Sequence, residues 1–374
     1  MINRCYARDL IPCLSILPAT LSQAHCEEVV GFSLTTAEQS GGGDEETAQS
    51  GGNATRLDLA RWLTDPKHPL TARVAVNRIW AMLFGTGIVA TSADFGSQGE
   101  YPSHPELLDY LATNFVGSGW NQKELIREIV SSATYRQQSI ATAEQRELDP
   151  KNRLLARGPR FRLPAEFIRD QALAVSGLLV PRIGGPSVHP YQPRGLWKEV
   201  SHFGSTPATK QVFVQDHGEK LYRRSLYTIV KRTSPHPAMA AFDAPNREMC
   251  TVDRGATNTP LQALVTLNDP QFAEAARVLA ASLLQDESAT GDHSRIGLAF
   301  ERIVSRPPSD PELKAVAKLL ESERARYRET PDDAIRAVSI GESPQAKEID
   351  TVEHAAWTQV AALLLNLSEA LTRT

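Results

Sequence analysis

Cysteine is scarce in this chain. Four in 374 residues are too few to build a disulfide scaffold. A basic excess is also missing: 40 Lys and Arg face 44 Asp and Glu, for a net charge of −4, whereas a dedicated nucleic-acid binder carries a strong basic footprint. No uninterrupted apolar run approaches the roughly 18 residues of a membrane span; the longest late run, Ala361 to Leu365, is cut by Asn366. With 23 Gly and 24 Pro, neither a fibrous nor a wholly disordered chain is indicated. What is there is a globular composition, long enough for two domains or one large one.

The first 55 residues differ from the rest. An apolar stretch from Leu10 to Leu21 has Asp9 at its edge and is broken by Pro12 and Pro18; no Ala-x-Ala site follows it. It reads as a degenerate signal peptide or as a plain leader. The Gly, Ser and acidic tract from Ser40 to Gly52 reads as a linker. Cys5, Cys13 and Cys26 fall in this leader, which makes them poor candidates for a core disulfide or a metal site. The expected organisation is a disordered leader over 1–55 and a helical globular domain over 56–374, with a sub-boundary near 285–293.

Helix starts dominate from Arg56 onward. Ser103-His-Pro-Glu106, Asn121-Gln-Lys-Glu124 and Ser309-Asp-Pro-Glu312 have the spacing in which a capping side chain and a third-position acid satisfy each other's free amides. Apolar stripes follow at helical spacing, including Leu107, Leu108, Leu111 and Phe115, and Val76, Ile79, Trp80 and Leu83 ahead of Gly85. Further helices are expected around Pro164 to Leu178, from Asp269-Pro270 to Leu284, and from about Thr351 to Leu371. Strand signals are few. Ser225 to Val230 and Gln211 to Gln215 are the best of them, pairing across the Asp216-His-Gly218 turn and Glu219 to Tyr222. The fold expected is mainly α, with a small antiparallel β element and long loops, the longest being Val180 to Pro207.

Familiar catalytic motifs fail on context. Asp94-Phe-Gly96 has none of the kinase elements before it, Gly85-Thr-Gly87 follows a helix and reads as its C-cap, and no serine stands in Gly-x-Ser-x-Gly. His68, His104, His189 and His236 each precede proline, without compact metal-ligand spacing. No metal site is expected. Glu166 and Asp170 lie four apart on one helix with Arg169 between them. They read either as an acid-base pair or as a charged face in which arginine pins a loop. The run Lys151, Arg153, Arg157, Arg160 and Arg162, interleaved with Phe161, reads either as a seat for an anionic polymer or as a solvated loop.

The densest polar stretch runs from Phe242 to Asp269. Asp243, Arg247, Arg254, Thr257, Asn258 and Gln262 are its ligand-binding candidates, with Glu166, Arg169, Asp170 and His104 in second place. Free amides where Thr259-Pro260 opens a helix, beside hydroxyls and an arginine, suit a carboxylate, sulfate or phosphate. The same residues also serve to stitch irregular backbone together. Cys250, with no histidine nearby in sequence, is expected to be a buried free thiol.

A series of segments gives a family resemblance. Asn77-Arg-Ile-Trp80, Phe84-Gly-Thr-Gly87, Asp94-Phe-Gly96, Pro102-Ser-His-Pro-Glu-Leu-Leu108, Thr134-Tyr-Arg-Gln137, Ala165-Glu-Phe-Ile-Arg-Asp170, Tyr222-Arg-Arg-Ser-Leu-Tyr227, Phe242-Asp-Ala-Pro245 and Thr257-Asn-Thr-Pro-Leu-Gln-Ala263 occur in this order. Together they resemble domain of unknown function 1553, a planctomycete domain that commonly ends large secreted proteins carrying a cytochrome c-like module. The resemblance covers roughly Arg56 to Thr374 and implies no activity. It implies a periplasmic or extracellular setting and, as partner, a c-type cytochrome domain on another chain. This chain lacks Cys-x-x-Cys-His, so no cofactor is expected in it. The functional expectation is a non-catalytic binding or docking module for an anionic or carbohydrate ligand. The alternatives are a polysaccharide hydrolase using Asp243 or the Glu166 and Asp170 pair, and a structural scaffold.

Overall fold

A computed structural model describes residues 55–96, 98–199, 212–346 and 348–373. It is mainly α: fourteen helices and one two-stranded antiparallel sheet among the described residues. The leader call over 1–55 lies almost entirely outside them. The chain divides into two compact units, the first ending at Arg160 and the second spanning Phe161–Arg373.

The first unit contains α1 (Arg56–Leu63), α2 (Thr71–Phe84), α3 (Pro105–Gly117), α4 (Gln122–Ser131) and α5 (Ala143–Leu148). Helix α2 lays Val76, Ile79, Trp80 and Phe84 against Leu108, Leu111 and Phe115 of α3 and Leu125 and Ile129 of α4. The stripe read from sequence is therefore the core of this unit. Gly85, at φ 80°, ends α2 in the left-handed conformation that glycine adopts without Cβ strain. Asn77, fully buried on α2, makes a reciprocal pair with Val89: its side-chain NH2 donates to the Val89 carbonyl at 3.0 Å and its oxygen accepts from the Val89 amide at 2.9 Å. Segment 86–89 is thereby fixed across the end of the helix.

Two helix starts differ from each other in an instructive way. Asn121 caps α4, accepting from the Glu124 amide as its spacing predicts. Ser103 does not cap α3; its amide and hydroxyl both donate to the Ile88 carbonyl, at 2.9 and 3.3 Å, and the cap position passes to His104. A tertiary contact has outcompeted the local box.

The second unit contains β1 (Phe161–Arg162), α6 (Ala165–Ser176), α7 (Leu196–Glu199), α8 (Pro237–Ala241), α9 (Pro260–Asn268), α10 (Pro270–Leu284), α11 (Asp292–Val304), α12 (Asp310–Glu329), α13 (Pro331–Val338), α14 (Thr351–Leu365) and β2 (Thr372–Arg373). Helix α14 is the hub, packing on α10, α12 and α13, while α10 also packs on α6. Trp357, Val360 and Ala361 of α14 and Leu279, Ala280 and Leu283 of α10 are fully buried. Alanine on both helices permits close approach of their backbones. The 285–293 stretch connects α10 to α11 inside this unit. Helix α14 stops at Leu365, short of the Leu371 expected, because the chain turns at Asn366 to reach β2, where Thr372 pairs with Arg162 and Arg373 with Phe161.

The β element is not the one read from sequence. Ser225–Tyr227 is a 3-10 turn, and 212–215 is irregular; Gln211 lies outside the described residues. The backbone there is spent on side chains. Asp170 accepts from the Ser225 amide at 2.7 Å, and Arg169 donates to the carbonyls of Leu221 and Arg223 at 2.7 and 2.8 Å. A segment whose amides and carbonyls are taken this way has little left for a ladder. Two isolated parallel bridges, Val180 with Arg223 and Val188 with Thr228, hold the long loop instead.

Candidate anion-binding cleft

The residues expected to bind ligand separate into distinct arrangements. In the second unit, Asp243 accepts from the Thr257 amide and hydroxyl at 2.7 and 2.8 Å. Gln262, fully buried, donates to the Thr257 carbonyl at 3.1 Å and accepts from Arg162 at 2.9 Å. This chain of bonds ties the loop before α9 to α9 itself and to β1. Arg254 donates to Glu166, with oxygens at 2.9 and 3.1 Å. Arg247 and Asn258 are exposed. The structure thus brings Asp243, Thr257 and Gln262 together and pairs Arg254 with Glu166.

Arg169 is buried and pins the 221–225 backbone, with Gln271 as a further acceptor. Burial lowers its pKa to about 10, against the opposing charges of Asp170 and Asp269. Asp170 faces Ser225 and Arg224, not Glu166. Each of the three carboxylates proposed for acid-base work therefore has a structural commitment of its own. Cys250 is exposed, correcting the expectation of a buried thiol: the 246–259 loop around it is solvent-facing throughout.

His104, in the first unit, is half-buried and bonds Ser103 Oγ through Nδ1 at 3.0 Å. Burial, then the nearby charge of Arg153, lowers its pKa.

The basic run folds around a cavity of about 930 Å³ in the first unit. Among the described residues its lining includes Arg146, Lys151, Arg153, Arg157 and Arg160 against a single carboxylate, Glu100. Arg162, the last member of the run, is carried off by β1 to Gln262. Arg146 replaces it, presented by the last turn of α5, whose Thr142 and Gln145 form a complete capping box. Sequence reading missed this six-residue helix, although Thr142-Ala-Glu-Gln145 is the signal that marks it.

Two arginines build the wall. Arg153 donates to the Gly87 and Ile88 carbonyls at 2.7 and 2.8 Å, joining 150–160 to the segment that Asn77 fixes. Arg157 donates to the Asp149 and Pro150 carbonyls at 3.1 and 3.0 Å. Asn152, itself at φ 51°, donates through its side chain to the Arg157 carbonyl at 2.8 Å. Gly158 passes so close to residue 137 that a Cβ there would lie 2.2 Å from the Gln137 carbonyl oxygen. Arg146, Lys151 and Arg160 are exposed, and among the described residues none of the five cations is ion-paired. Some arginines outside the cleft are matched by acids, Arg306 by Glu312 and Glu369 and Arg324 by Asp292 and Glu353. Like charges without direct ion-pair partners, outnumbering the nearby carboxylates in one concavity, focus a positive potential, and such a site favours an anion.

Among the described residues no group of three or more His, Cys, Asp or Glu is placed to hold a metal ion, and no helix is long and apolar enough to cross a membrane. No curated protein and no solved structure matches the chain. A family model described as protein of unknown function (DUF1553) matches residues 55–320. It spans both the cleft and most of the helical second unit, and the chain belongs to that family.

Proposed function

We propose that the chain is a non-catalytic binding module that holds an anionic ligand in the cleft of its first unit. The observation that carries this reading is the charge imbalance: five cationic side chains and one carboxylate line the same cavity, without an ion pair among the cations. Arg153 and Arg157 direct their N–H groups to backbone carbonyls, which satisfies hydrogen bonding but leaves their charge in place. Arg146, Lys151 and Arg160 then supply free donors. The net charge of the whole chain is negative, so the attraction is local to this face.

The test is calorimetric titration of inorganic polyphosphate into the full chain and into the triple variant Arg146→Ala, Lys151→Ala, Arg160→Ala. The wild type is expected to bind, and the variant to bind at least about tenfold more weakly, since each lost charge contact is worth on the order of 1 kcal/mol. Equal binding by the two proteins removes the cleft from the function. The family resemblance adds a proposed setting: outside the cytoplasmic membrane, with a c-type cytochrome on another polypeptide as partner. Fractionation of the native host that finds the chain only in the cytoplasm overturns that setting.

A further inference from the structure

We infer that the anion held in the cleft is an acidic polysaccharide segment, bearing carboxylate or sulfate groups together with free hydroxyls. This rests on the anion-binding reading above and narrows it by what else lines the cavity. Glu100 is exposed and without an ion-pair partner among the described residues. A carboxylate set among cations repels a ligand that is charge alone, such as polyphosphate, and accepts hydrogen bonds from one that carries hydroxyls. Thr86 and Ser139 add hydroxyl groups to the same lining. Among the described residues no aromatic side chain lines the cavity, so ring platforms on which proteins commonly stack bases are missing there. The volume, about 930 Å³, lies near the upper end of the range for small-ligand sites, on the order of 300 to 1,000 Å³.

A ligand that carries both anionic groups and hydroxyl donors matches this lining, and a uronate-containing or sulfated glycan is such a ligand. In this arrangement the cations supply affinity and Glu100 supplies discrimination. Arg146, Lys151 and Arg160 take the acidic groups, while Glu100 takes a hydroxyl of the same chain.

The experiment titrates three probes into the full chain: a short oligogalacturonate, inorganic polyphosphate, and a single-stranded DNA oligonucleotide of similar charge. All three are repeated on Glu100→Ala. The wild type is expected to bind oligogalacturonate more tightly than the other two. The ratio of oligogalacturonate to polyphosphate affinity is expected to fall about fivefold or more in Glu100→Ala, the value of one hydrogen bond with its associated repulsion relieved. An unchanged ratio removes Glu100 from discrimination and overturns the inference. Polyphosphate or DNA bound more tightly than oligogalacturonate by the wild type overturns it too, while leaving the anion-binding cleft intact. Binding of none of the probes overturns both.

Discussion

Asp149 gives a carboxylate oxygen to the backbone amide of Arg153, at 2.9 Å, and not to its guanidinium. The other oxygen accepts from the Leu154 amide at 2.7 Å. The acid at the edge of the basic run thus shapes the loop and forms no ion pair with its cations, although its charge stays beside them.

The sign of one substitution follows. Asp149→Ala removes a negative charge, which by itself would tighten anion binding, but it also releases two backbone amides that hold the loop. Loss of such bonds costs about 1 to 3 kcal/mol. We expect a lower melting temperature together with weaker polyphosphate binding. Tighter binding by the variant would mean that the loop does not need Asp149 to present its cations.

Gly158 tests the rigidity of the same wall. A methyl group there meets the Gln137 carbonyl oxygen at 2.2 Å, so Gly158→Ala forces a backbone shift. Denaturant unfolding is expected to show a loss of about 1 to 3 kcal/mol, in the range of overpacked sites. A neutral result would contradict the close packing of 158 on 137.

In the second unit the corresponding test is Arg169→Leu. The arginine is 3% exposed and satisfies two carbonyls and Gln271. Replacing it leaves buried acceptors unpaired, at a cost of about 3 to 5 kcal/mol. Polyphosphate binding measured well below the melting temperature should be unchanged, because the residue belongs to the unit without the cleft. A binding defect in the folded variant would contradict that separation.

The helices were legible where their signals are local. Asn121, Asp269 and Gly85 act within a turn of their own helices, so spacing alone finds them. The strand reading of 225–230 failed because distant residues, Arg169 and Asp170, claim that backbone; no local pattern records such a claim. The cleft was half legible. The run from Lys151 to Arg160 is contiguous, but Arg146 and Glu100 reach the cavity from α5 and from the loop after α2, and Arg162 leaves it on a strand only two residues long. For the polar stretch from Asp243 to Gln262, sequence showed its composition and not its partners, and those partners are mostly its own backbone and side chains.

Acid stability has a specific contributor in Glu312. Hydrogen bonds from Arg306, with those from the amide and hydroxyl of Ser309, hold its carboxyl down to about 2 from an ordinary 4.5. A carboxyl with a lower pKa in the folded state stabilises the fold above its unfolded value, and the contribution is lost as pH falls through the folded value. The melting-temperature gap between wild type and Glu312→Gln should be full above about pH 5 and should close between 4.5 and 2. A gap independent of pH would mean that the ionised form is not what stabilises this helix start.

The most direct test of the cleft is the salt dependence of polyphosphate affinity in wild type and Lys151→Ala, measured over the same series of salt concentrations. Each cation in contact with a polyanion displaces about one condensed counterion, so the logarithm of affinity falls linearly with the logarithm of salt. The account predicts a slope shallower by about one in Lys151→Ala than in wild type. Parallel lines for the two proteins would contradict it, because Lys151 would then make no contact with the bound anion.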